Sequence, residues 1–293
     1  MNTTNDSGEN KKVDGGMLSR IGKALKRNVP SLHGIIKRSF LWARIPVPKM
    51  INGKLVLVAP ELFRAESTEP HIHEWIGETL GAGDTFLDVG AHYGWMSMTA
   101  CNSVGPNGKV IAFEPSSPLL KLLKYNKTVN RLRQLEVVGK AVSEVPGNAV
   151  PFFLTDDGDS YLNTLVQSVA ARHSLESKTQ SIARIETTTL DEYCTENQLY
   201  PKVIKIDVEG AELLVLRGAQ TVLSECHPTL LLAIHPTWLP AGQHIDELFG
   251  LLSNLGYRTI DSNVVRYEGA DFGDYLFVFE AKLSFPLALR EQN

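Results

Sequence analysis

Cysteine is nearly absent. The 293 residues hold three, Cys101, Cys194 and Cys226, far apart, with no C-x-x-C and no histidine partner at zinc-ligand spacing. That pattern excludes a disulfide frame or a zinc site and predicts free thiols in a reducing compartment. Long apolar runs are missing too: none approaches the roughly 18 residues that a bilayer span needs, and residues 1–16 are polar, without an apolar signal core. A cytoplasmic body is the expectation. Positive charge is scarce beyond the N-terminus, since residues 1–50 carry ten Lys/Arg against three Asp/Glu, net +7, leaving −11 on residues 51–293. So acidic a body lacks the basic face that a phosphate backbone requires, and nucleic acid is not expected as a partner.

What is present alternates. After a hairpin signal at Asn52-Gly53 within 45–58, and a helical stretch over 71–80, short apolar runs at 85–89, 109–114, 135–141, 202–207 and 229–234 are interleaved with helical patterns. The helical patterns cover 95–104, 118–130, 190–198, 211–223 and 245–255, and two last strands follow at 257–260 and 275–280. Strand–helix alternation predicts an α/β fold whose parallel sheet is covered on both faces, closed by an antiparallel C-terminal pair. Residues 1–16 read as a disordered tail and 17–80 as an extension made of a basic helix and a hairpin. Leu18, Ile21 and Leu25 fall at helical spacing among Arg20, Lys23, Lys26 and Arg27, a pattern that suits weak contact with an anionic membrane surface or a partner. Residues 81–285 form the main domain. Within it, 155–185 has little periodicity, and a stretch of that length reads as a lid or as a surface excursion. Its acidic cluster Asp156-Asp157-Gly158-Asp159 lacks calcium-loop spacing and reads as a turn. No metal site is expected.

Chemistry concentrates at strand ends. Phe86-Leu87-Asp88-Val89-Gly90-Ala91-His92-Tyr93-Gly94 is a strand breaking into a glycine turn, and Val110 to Pro115 ends the next strand in Glu114. Gly90 and Gly94 allow close backbone approach to a ligand, while Glu114 can accept two hydrogen bonds from a ribose diol. The G-x-G-x-x-G pattern presents helix N-terminal amides to a pyrophosphate; here Asp88 takes the place of its first glycine, giving D-x-G-x-x-x-G. A carboxylate repels a pyrophosphate but attracts the sulfonium and ammonium of S-adenosylmethionine. His92 is expected to shape the same pocket through its backbone. A second constellation, Ile204 to Glu212, ends a strand in Asp207, followed by Glu209 and Glu212. Glu212 reads as favourable charge at a helix N-terminus. Ligands of open α/β sheets lie beyond the carboxyl ends of the strands, so Asp88, Glu114 and Asp207 should converge, with the cation of the cofactor offsetting their charge. The strand at 229–234 delivers His235 to the same edge. His235 and Asp207 are the candidate bases for taking a proton from an acceptor hydroxyl.

These stretches, FLDVGAHYG, VIAFEP, TTLDEY (188–193), VIKIDVEGAE and LLLAIHP (230–236), in this order, resemble the FkbM-type S-adenosylmethionine-dependent methyltransferases. The resemblance implies a class I methyltransferase fold, a Rossmann-like seven-stranded and mostly parallel sheet with an antiparallel last strand. It also implies methyl transfer to oxygen on a sugar, glycan or secondary metabolite. By the same resemblance Asp88, Gly90 and Gly94 border the methionine part, Glu114 binds the ribose, and Lys140-Ala141-Val142 borders the adenine, with Ala141 at its centre. His92 stands where the family has an asparagine-like residue. A small molecule or glycan is the expected acceptor.

Overall fold

The computed structural model describes residues 43–67, 69–155, 163–167, 170–171, 180–234, 245–260, 266–267 and 273–279. Its centre is a sheet built from β3 (Thr85–Val89), β4 (Lys109–Phe113), β5 (Leu135–Val138), β9 (Val203–Ile206), β10 (Thr229–Ile234), β11 (Tyr257–Thr259) and β13 (Gly273–Phe279). They lie in the order β11-β13-β10-β9-β3-β4-β5, and two-residue β12 (Arg266–Tyr267) pairs with β13 off that path, making eight strands. The five strands from β10 to β5 are parallel. β13 runs antiparallel to both its neighbours, β10 and β11.

The strands alternate strictly between two buried faces. Leu87, Val89, Ile111, Phe113, Ile204, Ile206, Leu230 and Leu232 enter one core. Helices α4 (Leu190–Asn197), α5 (Glu212–Arg217), α6 (Gln220–Cys226) and α7 (Ile245–Asn254) cover it. Phe86, Val110, Ala112, Val203 and Leu231 enter the other, under α1 (Pro70–Thr79), α2 (Trp95–Val104) and α3 (Ser117–Val129). A period of two with both phases apolar is what a doubly covered parallel sheet demands.

The N-terminal hairpin is stitched into this frame. Strands β1 (Val47–Ile51) and β2 (Lys54–Val58) meet at Asn52 and Gly53, both at positive φ (45° and 70°), as a two-residue hairpin turn requires. Asn126 in the last turns of α3 and Asn130, which caps its C-terminus, stand four residues apart. Asn126 Oδ1 accepts from Ala59 N (2.8 Å) while its Nδ2 donates to Tyr93 O (2.9 Å); Asn130 accepts from Leu57 N and donates to Leu57 O. Val47, Ile51, Val56, Val58 and Leu62 share a core with Tyr93, Met98 and Leu119.

Three expectations are corrected. The run 135–141 is not one strand: β5 stops at Val138, and β6 (Ala141–Val142) joins a separate three-stranded sheet, β6-β8-β7. That sheet replaces part of the supposedly structureless 155–185 stretch, because β7 (Gly147–Thr155) pairs antiparallel with β8 (Gln180–Thr188). β8 escapes periodicity because Ser181, Ile182, Arg184 and Glu186 are all exposed, so no apolar alternation marks it. The helix at 211–223 is instead two, α5 and α6, interrupted at Gly218-Ala219. At Gly218 the chain passes so close to the Ser143 carbonyl that a Cβ would lie 2.1 Å from its oxygen. Residues 17–42, the Asp156–Asp159 cluster and His235 lie outside the described residues.

Candidate functional site

Because β3, β4 and β9 are neighbours in register, their carboxyl ends open on one cleft. Val89, Gly90, Ala91 and His92 line it after β3, Phe113 and Glu114 after β4, and Asp207, Val208 and Glu209 after β9. Lys140, Ala141, Val142 and Phe152 close one end, and Glu66, Ser67, Glu69 and Trp95 the other. Asn163 and Leu165, from within the 155–185 stretch, form part of the wall. The cleft encloses about 990 Å³ when its open mouth is included.

Glu114 is its most constrained side chain. It is 4% exposed; Oε2 accepts from His92 N at 2.9 Å and Oε1 from Ser116 N at 2.8 Å. Burial pushes its carboxyl up to about 7, against the restraint of those two amides. Each carboxylate oxygen keeps a second lone pair, so a cis-diol could be received without displacing either amide. His92, at φ 52°, thus holds Glu114 with its backbone N–H. Burial holds its imidazole down at about 4, so it stands neutral at pH 7.

The glycines also serve the packing around the cleft. Gly90 lines the cleft at φ 82°, but a Cβ there would lie 1.9 Å from Asp207 O. Its bareness lets the turns after β3 and β9 touch. Gly94, also at φ 82°, stands outside the lining; a Cβ would meet Leu123 Cδ1 at 2.2 Å, so it serves the seating of α2 on α3.

Asp88, the other expected cofactor contact, lies deeper. Fully buried, it does not line the cleft; Oδ2 accepts from Ser97 Oγ at 2.5 Å, and Oδ1 lies 4.0 Å from Lys205 Nζ. Burial raises its carboxyl, opposed by Lys205 and Ser97. The cation that offsets the convergent acids is thus supplied by the chain. Lys205, 6% exposed and paired with Asp88 in the β3–β9 register, donates to Asp207 Oδ2 at 2.9 Å and lines the cleft. Burial pulls its ammonium down, yet Asp207 and Asp88 outweigh burial and hold it above the ordinary lysine range. The signal for Lys205 was available: a lysine inside the apolar strand Val203-Ile204-Lys205-Ile206 shares the face of Asp207 by the period of two.

Asp207 and Ala141 line the cleft, and Glu212 begins α5 with Oε1 accepting from Gly210 N. Sequence reasoning passed over Ser67, Glu69 and Trp95, which come from the extension and the start of α2. His73 supports them from below, its Nε2 against Ser67 Oγ and its Nδ1 2.7 Å from Thr99 Oγ1. Among the described residues no group of three or more His, Cys, Asp or Glu is arranged to hold a metal ion.

An open parallel sheet with a glycine turn, a diol-ready acid on the next strand and a cleft across the strand ends defines a nucleoside-cofactor α/β domain. Residues 88–259 match the family model for the Methyltransferase FkbM domain, and the chain belongs to that family. Among solved structures it is similar to the FkbM methyltransferase of Methylobacillus flagellatus, at 16% identity and a TM-score of 0.43 over 87% of this chain and 60% of that one. It thus spans less than two thirds of that protein. It is also similar to a SAM-dependent O-methyltransferase of Thermotoga maritima, at 14% identity and a TM-score of 0.42, over 74% of this chain and 68% of that one. A third is M. jannaschii TYW2 in complex with AdoMet, at 11% and 0.42, over 80% of this chain and 86% of that one. No curated protein matches the chain. Among the described residues no helix is long and apolar enough to cross a membrane.

Proposed function

We propose that the chain is an S-adenosylmethionine-dependent methyltransferase acting on a hydroxyl of a sugar, glycan or secondary metabolite. The observation that carries the reading is Glu114, whose two oxygens are each anchored by one backbone amide and each retain a lone pair at the cleft. That is a receptor for a ribose diol, between an apolar end at Ala141, Val142 and Phe152 suited to an adenine and a polar end at Asp207. Bound there, the cofactor supplies an electrophilic methyl group on a sulfonium.

The chain's own residues then position the acceptor. Holding the hydroxyl in line with the methyl group is worth several kcal/mol of the barrier. The acceptor end carries Glu66, Glu69, Asp207 and Glu209, which favours neutral, hydroxyl-rich molecules over anionic ones, nucleic acids included. Asp207 stands at the cleft where it could take the hydroxyl proton; His235, outside the described residues, is the other proposed base. Contact of the basic N-terminus with a membrane surface, and the division into a 1–16 tail, a 17–80 extension and an 81–285 transferase domain, are part of the same proposal.

Calorimetry with S-adenosylmethionine and NAD tests the cofactor: binding of the first alone is expected, and binding of NAD alone would overturn the reading. Labelled S-adenosylmethionine incubated with metabolite and glycan pools should then yield a labelled, base-stable methyl ether. Asp207→Asn and His235→Ala separate the two bases when turnover is measured at saturating cofactor, since only loss of the true base should abolish it there.

A further inference from the structure

Two features of the molecule lie outside the cleft and have no part in the reading above. The first is charge. Between Glu114 and Glu136 the chain has no acid but five cations, Lys121, Lys124, Lys127, Arg131 and Arg133, on a body that is otherwise acidic. Lys121, Lys124 and Thr128 recur at i, i+3 and i+7 and are exposed, so they mark the outer side of α3, opposite the buried Leu119, Leu123 and Asn126. Arg131 and Arg133 follow its C-terminus and are exposed too. Among the described residues, no ion pair involves any of the five.

The second is an uncovered apolar sheet face. A hairpin with one face in a core ordinarily turns polar residues outward. Val47, Ile51, Val56 and Val58 fill the core, yet the outward pairs are Met50 with Leu55 and Pro48 with Leu57, and none of the four is charged. Met50 and Leu55 are 66% and 67% exposed. Ile45 and Phe63, on the flanking segments, are exposed as well. The hairpin and α3 lie on the same side of the central sheet, sharing a core through Leu119. Tyr125 of α3 also ties them: its hydroxyl donates to Arg44 O, and the Arg44 guanidinium lies 4.9 Å from its ring centroid.

The chemistry of this side selects its partner. A second copy would bring like charge against like, and four apolar side chains fall short of the roughly 20 residues a side of a stable dimer. Residues 1–42 carry eight Lys/Arg against three Asp/Glu, so the same cations repel them. A nucleic-acid backbone would take the cations and leave the apolar pairs unused. An anionic bilayer surface takes both, the cations at its headgroups and the apolar side chains at the acyl boundary.

We propose that the outer side of α3 and the outer face of the β1–β2 hairpin dock the protein on an anionic membrane surface. The surface consists of residues other than the basic N-terminal segment and does not depend on the cofactor reading. Each cation held near an anionic leaflet contributes about fivefold in affinity.

The test is co-sedimentation of the full-length protein with phosphatidylcholine vesicles, with and without about one third phosphatidylserine. Binding should be at least about tenfold tighter to the anionic vesicles and should weaken as salt rises. Lys121→Gln/Lys124→Gln/Arg131→Gln should weaken it by roughly 100-fold, and Met50→Ser/Leu55→Ser by about tenfold or more. All five side chains are exposed, so the thermal melting of both variants should match wild type. A full-length variant with Arg20, Lys23, Lys26 and Arg27 changed to Gln should still lose affinity when the α3 substitutions are added. Equal binding to both vesicle types, or wild-type binding by the α3 variant, would overturn the proposal. So would tight binding of an RNA oligonucleotide without vesicle binding, or a dimer that Met50→Ser/Leu55→Ser dissociates.

Discussion

The protonation of Glu114 offers the sharpest handle on this protein. Burial pushes its carboxyl up to about 7, and a ribose diol needs the ionised form as acceptor. Cofactor affinity should then follow the ionised fraction, weakening as pH falls through 7. With a single such group the dissociation constant at pH 6 is about tenfold that at pH 8, and binding at pH 7 releases about half a proton. Both are readable by isothermal calorimetry in buffers of different ionisation enthalpy. Glu114→Gln removes the titration. An amide presents one acceptor and one donor group, so either His92 N or Ser116 N loses its partner, and one charged hydrogen bond to the diol goes with it. The expected weakening is about 10- to 100-fold, with no pH dependence left between 6 and 8. A wild type whose affinity is flat across that range, or a Gln variant that keeps the slope, would refute the reasoning.

Other perturbations read the scaffold. Gly90→Ala places a Cβ 1.9 Å from Asp207 O at φ 82°, so it should lower stability by about 2 kcal/mol or more in urea denaturation and disturb the position of Asp207. Asn126→Ala leaves Ala59 N and Tyr93 O without their buried partner, at a cost of about 2–3 kcal/mol; hydrogen exchange should show the 47–58 hairpin loosening first. His73, with its imidazole held down at about 4 by burial and by Lys205, binds fewer protons folded than unfolded between pH 4 and 6.5. Its contribution is therefore present above pH 6.5 and lost as pH falls toward 4, amounting to at most about 3 kcal/mol; His73→Leu should flatten the acid limb of a stability–pH curve. Glu114 works in the opposite sense over pH 4.5 to 7, since its raised carboxyl takes up a proton on folding, so Glu114→Gln should make that acid limb steeper.

Much of the frame was legible because local rules and the fold agree. The runs at 85–89 and 229–234 are strands with those bounds, and 95–104 is a helix with those bounds. Asn52-Gly53 forms the turn its residue types favour. What escaped was whatever lacked an apolar alternation or depended on a distant neighbour. β8 is one case, a strand with little buried face of its own. The break at Gly218 is another, imposed by the carbonyl of Ser143 seventy-five residues earlier.

The site divides along the same line. By itself the sequence determined that Glu114 and Asp207 follow apolar strands and so stand at the edge where α/β ligands bind, because strand ends are written in local composition. Only the tertiary structure decided what those acids do. The β3–β9 register sets Lys205 beside Asp88, which gives that acid a buried cation as its partner. Burial raises the carboxyl of Glu114 while two backbone amides hold its oxygens in place, unlike an ordinary surface acid. Desolvation and cross-strand charge are set by residues far away along the chain, and no reading of neighbours in sequence contains them.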